Sequence, residues 1–143
     1  AANGQMRQLG LATLDLALHR QYSPETDGDP VTYTRNIIQN FTPVQLEPDH
    51  SMITGFMHLF SDPVAYAAGY YSYKWAEVLD ADAFTRFKTE GIFSGKVGRE
   101  FRDRILAPGD SEDPAELFRR FMGRDPDPRA LLVRCGLIPE RAS

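Results

Sequence analysis

One cysteine, Cys135, stands in 143 residues. A lone thiol has no partner within the chain, so no internal disulfide is expected and nothing requires an oxidising compartment. A cytoplasmic location is the expectation, and a periplasmic one is compatible with it. Long apolar runs are missing as well. None approaches the roughly 20 residues that cross a bilayer, and no basic, apolar and small-residue succession marks a signal peptide, so no membrane association is expected. Positive charge is not in surplus: 16 Lys and Arg face 20 Asp and Glu, for a net charge of −4. Nucleic acid is bound by displacing counterions with excess cations, and it is not an expected partner here. Also missing are an H-E-x-x-H pair, paired cysteines, a Gly-rich phosphate loop and a nucleophile elbow.

What is present describes a folded chain. Hydrophobic residues make up 42% and charged residues 25%, ordinary values for a globular protein. The length suits one domain or one piece of a larger domain. The chain begins AANGQM without an initiator methionine, so a fragment is the expectation, with residue 1 either a natural cut point or an artificial boundary.

Helical signals dominate. Residues 4–20, GQMRQLGLATLDLALHR, carry good helix formers and no proline. Leu11, Leu14 and Leu18 fall on one side of the predicted helix, with Leu9 and Leu16 on the other, so burial on two sides is expected. SPETDGDP, residues 23–30, is a turn-rich break, and Asp29-Pro30 opens a second predicted helix to about Phe41. The run Ser51–Phe60 has β-compatible residues and a glycine, which predicts a short strand or hairpin arm; helix is the competing assignment. Val97, Phe101 and Ile105 recur every four residues, one face of a helix that Pro108-Gly109 ends. Asp113-Pro114-Ala115-Glu116 is a capping pattern with Gly123 as the exit, and Asp127-Pro128 starts a last short helix ending near Gly136. The fold class expected is mainly α.

The most distinctive stretch is YAAGYYSYKWAEVLDAD, residues 66–82. Read as part of one helix from about Val64 to Lys88, it places Tyr66, Tyr70, Tyr73 and Glu77 within an arc of about 60°. Val64, Ala68, Tyr71, Trp75, Val78 and Leu79 fall opposite, as a packing face. Two readings of the phenol face stay open. It is either core, with each hydroxyl bonded at the edge of the packing, or a row of donors lining a cleft. Asp80 and Asp82 diverge from Glu77 on the wheel, so all three acids read as surface charge or local hydrogen bonding. His58 lies eight residues before Tyr66, among apolar neighbours, where a histidine is either a structural group or a catalyst; His19 and His50 carry a weaker signal.

His58-Leu59-Phe60 followed by residues 66–82 resembles the C-terminal catalytic segment of the thimet oligopeptidase, oligopeptidase A and peptidyl-dipeptidase family of zinc metallopeptidases. LDLALH, KVGREFRDRILAPGDSEDP and FMGRDPDPRALLVRCGL extend the resemblance, in order, over nearly the whole chain. The resemblance implies a mainly helical fold flanking a channel for short peptides. It also implies zinc held by a histidine pair and a glutamate on helices of the N-terminal remainder of the catalytic domain, which would be this chain's partner. By the same resemblance His58 and Tyr70 bind substrate, and Tyr66 and Tyr73 donate hydrogen bonds to the tetrahedral oxyanion. No residue of this chain is expected to ligate the metal, and the chain alone is expected to bind no zinc and to be inactive. Where family members carry a glycine-containing turn between the histidine and the first tyrosine, this sequence has Phe60-Ser61-Asp62-Pro63-Val64-Ala65, a stiffer connection. The alternative function is a non-catalytic helical module, derived from the peptidase, that binds a peptide or protein.

Overall fold

In the computed structural model the described residues are 2–64 and 66–140, and they form helices and turns without a strand. Two compact units divide the chain, Ala1–Lys74 and Trp75–Ser143.

The first unit is built on α1 (Ala2–Arg20), a short helical turn α2 (Pro24–Asp27) and α3 (Pro30–Gln39). Asp29 caps α3 by accepting the N–H of Thr32 at 2.8 Å, and Pro30 takes the first helical position, where its missing N–H costs nothing. Leu11 and Leu14 of α1 meet Phe56 and Leu59 in a core that Leu18, Ile37, Ile38 and Met52 flank. Burial of each large apolar side chain contributes about 2 kcal/mol. Gly10 permits the close approach of α1 to the end of α3, since a Cβ there would stand 3.0 Å from that of Phe41. Burial on two sides does not hold among the described residues: Leu9 is exposed and Leu16 half-buried.

Residues 51–60 do not make a hairpin arm. They form two 3₁₀ turns, Met52–Gly55 and Met57–Leu59. The N–H groups of Phe56, Leu59 and Phe60 bond back three residues, to Ile53, Phe56 and Met57. Phe56 and Leu59 thereby reach the core together at a spacing of three, whereas a strand would have turned them to opposite faces.

The predicted helix from Val64 is also shorter than expected. α4 runs Ser72–Glu90, and residues 66–71 form turns. Gly69 bonds back to the carbonyl of Tyr66 and Ser72 to that of Gly69, both at 3.0 Å, while Ala68 takes φ 55°, in the left-handed region. A left-handed residue cannot continue a right-handed helix. The packing face is displaced accordingly. Tyr71, Trp75 and Val64 are exposed, and Ala68 sits in the turn; the stripe is buried only from Val78 onward.

The second unit packs α4 with α5 (Gly95–Phe101), a π-helical turn (Arg102–Leu106), α6 (Pro114–Met122) and α7 (Arg129–Arg134). Ala83, Val97, Phe118 and Phe121 form its main core, which Leu79, Phe87, Phe101 and Ile105 flank, so the four-residue spacing of the 97–105 stripe faces inward as predicted. Asp113 caps α6 by accepting from Ala115 at 2.7 Å and Glu116 at 3.2 Å, and Gly123 ends it at φ 75°. Asp82 departs from the expectation of surface charge or local hydrogen bonding, since its partners lie 42 and 45 residues away. It is 1% exposed, receives both terminal nitrogens of Arg124 at 2.6 Å, and accepts the N–H of Asp127 at 2.8 Å. The carboxylate holds the segment that leads into α7. Asp80, in contrast, is exposed and pairs with Arg134.

Candidate active site

His58, Tyr66, Tyr70 and Tyr73 meet in the first unit. Tyr73 sits in the first turn of α4, His58 in the second 3₁₀ turn, and Tyr66 and Tyr70 on the turns before α4. The His58 ring stands edge-on to Tyr66 at 5.2 Å between centroids and lies 6.1 Å from Tyr70. Tyr70 is 5.0 Å from Tyr73, and Tyr66 stacks on Tyr73 at 6.3 Å with 13° between the rings. Phe56, from the core, touches both His58 and Tyr70 at 5.1 Å. Edge-on and offset arrangements of this kind are the favoured ones for aromatic rings. The Asp62-Pro63 sequence does not keep His58 from the phenols; Asp62 accepts the N–H of Val64 at 2.7 Å, a local turn.

The reason for the cluster differs from the one the spacing gave. A single helix cannot account for it, because only Tyr73 belongs to α4. The turn that delivers Tyr66 and Tyr70 is fastened to α1: the side chain of Asp15 accepts the N–H of Ala68 at 3.1 Å and of Tyr70 at 2.8 Å. Asp15 escaped the sequence reading. Its signal was a charged residue between Leu11, Leu14 and Leu18, on a face expected to be buried.

Chemically the cluster is a pair of accessible hydroxyls with an aromatic floor. Tyr66 and Tyr73 are 38% and 44% exposed, which sets aside the reading of both as core. The Tyr73 hydroxyl donates to that of Tyr66 at 3.3 Å. That bond is long for an O–H···O contact, so an outside oxygen carrying charge can displace it at small cost. The same bond, followed by desolvation, raises the pKa of Tyr73 above its ordinary value, so the phenol keeps its proton at neutral pH and remains a donor. Beside the rings lies a pocket of about 240 Å³ whose wall includes Arg7, Met52, His58 and Tyr70. Larger cavities of about 440 Å³ lie in the second unit, and the most apolar of them is walled by Phe84, Phe87, Phe101 and Phe118 without hydroxyl or imidazole groups.

Among the described residues no three His, Cys, Asp or Glu side chains stand close enough to hold a metal ion. No helix among them is long and apolar enough to cross a membrane.

A sequence profile of peptidase family M3 matches residues 1–137. Oligopeptidase A of Escherichia coli is 42% identical over 133 residues, which cover 92% of this chain and 19% of that protein. The probable cytosolic oligopeptidase A of Arabidopsis thaliana is 38% identical over 146 residues, 99% of this chain and 20% of its own length. Dipeptidyl carboxypeptidase of Escherichia coli is 38% identical over 82 residues, 57% of this chain and 12% of that protein. The chain thus spans about a fifth of the length of the oligopeptidases it matches.

Proposed function

Because the chain belongs to peptidase family M3, we propose that it supplies the substrate-binding and oxyanion-stabilising groups of a zinc-dependent peptidase that hydrolyses short peptides. Tyr66 and Tyr73 donate hydrogen bonds to the carbonyl oxygen as it gains charge. His58 and Tyr70 form the wall against which the substrate backbone lies.

The observation that carries this reading is the exposed Tyr73–Tyr66 hydroxyl pair. Two donors at one place can both reach a single oxygen, and donors fixed in advance stabilise a developing charge without reorganising. Removing one such donor typically costs about 100- to 1000-fold in kcat. The residues described here do not form a zinc-binding set. In this reading the metal belongs to the N-terminal remainder of the catalytic domain, and no step is assigned to it from this chain.

The test is a replacement. Oligopeptidase A of Escherichia coli, with the segment it shares replaced by this chain, is assayed on a quenched fluorogenic oligopeptide. Hydrolysis is expected with the natural sequence and a large loss of kcat with Tyr66→Phe or Tyr73→Phe, at unchanged zinc content. A replacement carrying both changes that keeps full kcat contradicts the proposal and favours a peptide-binding role without chemistry.

A further inference from the structure

Asp15 lies in the C-terminal half of α1 and is fully buried. A buried carboxylate is strongly destabilising unless its oxygens are bonded. Here both are. Oδ1 accepts from Ala68 and Oδ2 from Tyr70, while Nδ1 of His19 stands 2.9 Å from both Oδ1 and the main-chain carbonyl oxygen of Asp15. These backbone bonds reach across 53 and 55 residues of sequence. His19, one turn farther along α1, stacks on Phe60 at 5.2 Å with 22° between the rings. The two side chains therefore grip the chain at Phe60 and again at Ala68–Tyr70, on either side of Tyr66.

The bonds also carry a conformational load. Ala68 is the one described non-glycine residue with positive φ, a conformation that alanine adopts at a cost. An N–H aimed at a buried carboxylate offsets that cost, since hydrogen bonds to carboxylates are stronger than those between neutral groups. Few side chains can replace Asp15 here. Asparagine would turn an NH₂ group toward one of two N–H donors, and glutamate is longer by a methylene in a closed site.

We infer that Asp15 is a positioning residue for the phenol site: through the N–H groups of Ala68 and Tyr70 it sets Tyr66 and Tyr70 opposite Tyr73, with His19 as its second support. It touches no substrate. The kinetic consequence rests on the reading of Tyr66 and Tyr73 as oxyanion donors, but the brace can be measured without any substrate.

Amide hydrogen exchange of the unaltered chain, read residue by residue by NMR, is the first measurement. The Ala68 and Tyr70 amides are expected to exchange about 100-fold more slowly than those of Ala67 and Tyr71. Equal rates overturn the inference, and no variant needs to fold for that result to be obtained. The second measurement is a double-mutant cycle in the oligopeptidase A replacement. Asp15→Asn is expected to lower kcat about 10-fold or more with KM little changed, and Tyr73→Phe added to it to cost much less than Tyr73→Phe alone. Losses that simply multiply mean that Asp15 does not act through the phenols. If Tyr73→Phe alone leaves kcat intact, the oxyanion reading fails while the exchange rates still decide the brace.

Discussion

Tyr73 donates its phenolic hydrogen to the hydroxyl of Tyr66, although the two residues lie on different elements, the first turn of α4 and the turn before it. No shared helical face brings them together; the turn that carries Tyr66 is fastened to α1 through Asp15. The chemistry of the site follows from this arrangement.

Tyr66→Phe should return the pKa of Tyr73 toward the ordinary value near 10, because the bond to Tyr66 is the largest cause of its rise. The sign for stability follows from the same shift. A phenol whose pKa is raised on folding contributes fully below about pH 10, and that contribution is lost as pH rises through the folded value. Ultraviolet or NMR titration of the wild type and Tyr66→Phe reads the shift; identical Tyr73 titrations in the two would remove the hydrogen bond as its cause.

Ala68→Gly should stabilise the first unit by about 0.5–1 kcal/mol, since glycine adopts positive φ without the Cβ penalty. Chemical denaturation checks this. A loss of stability would show that Ala68 gains more from its methyl group, or from a stiffer unfolded chain, than it loses to the backbone.

Arg124→Ala should be far more damaging than an ordinary surface change. It leaves the buried carboxylate of Asp82 with the N–H of Asp127, and because Arg124 is itself about half exposed the loss is about 2 kcal/mol. The expected result is a loss of unfolding free energy of that size, read from the midpoint and slope of denaturant unfolding. A change within the scatter of surface substitutions would mean that water replaces the guanidinium.

The chain by itself should take up no stoichiometric zinc and hydrolyse no fluorogenic oligopeptide, in keeping with the lack of a three-ligand set among the described residues. Equilibrium dialysis with metal analysis, run beside a peptide assay, decides this. Tight binding of one zinc with turnover would place the whole catalytic apparatus within these 143 residues.

The helical plan was legible because its signals are local. Asp113 with Pro114, Asp29 with Pro30, and Gly123 each act within one turn of themselves, and the structure uses all of them as caps or stops. His58, Tyr66, Tyr70 and Tyr73 do come together, but for a reason other than the helical spacing. Helical spacing put Tyr66 and Tyr70 on α4, whereas they belong to turns. What misled the reading was long-range: Asp15 captures the N–H groups of residues more than fifty positions away. No pattern of period 3.6 contains that partner. Asp82 was misjudged for the same reason, since Arg124 lies 42 residues beyond it.

Under the proposed function Tyr73 serves the tetrahedral state more than the planar one. Binding of a phosphinic peptide, a tetrahedral mimic, and of the matching planar peptide inhibitor should be compared in the oligopeptidase A replacement with and without Tyr73→Phe. The account predicts about 100-fold weaker binding of the phosphinic peptide, with the planar peptide changed no more than about threefold. Equal losses for both ligands would make Tyr73 a general binding residue and contradict it.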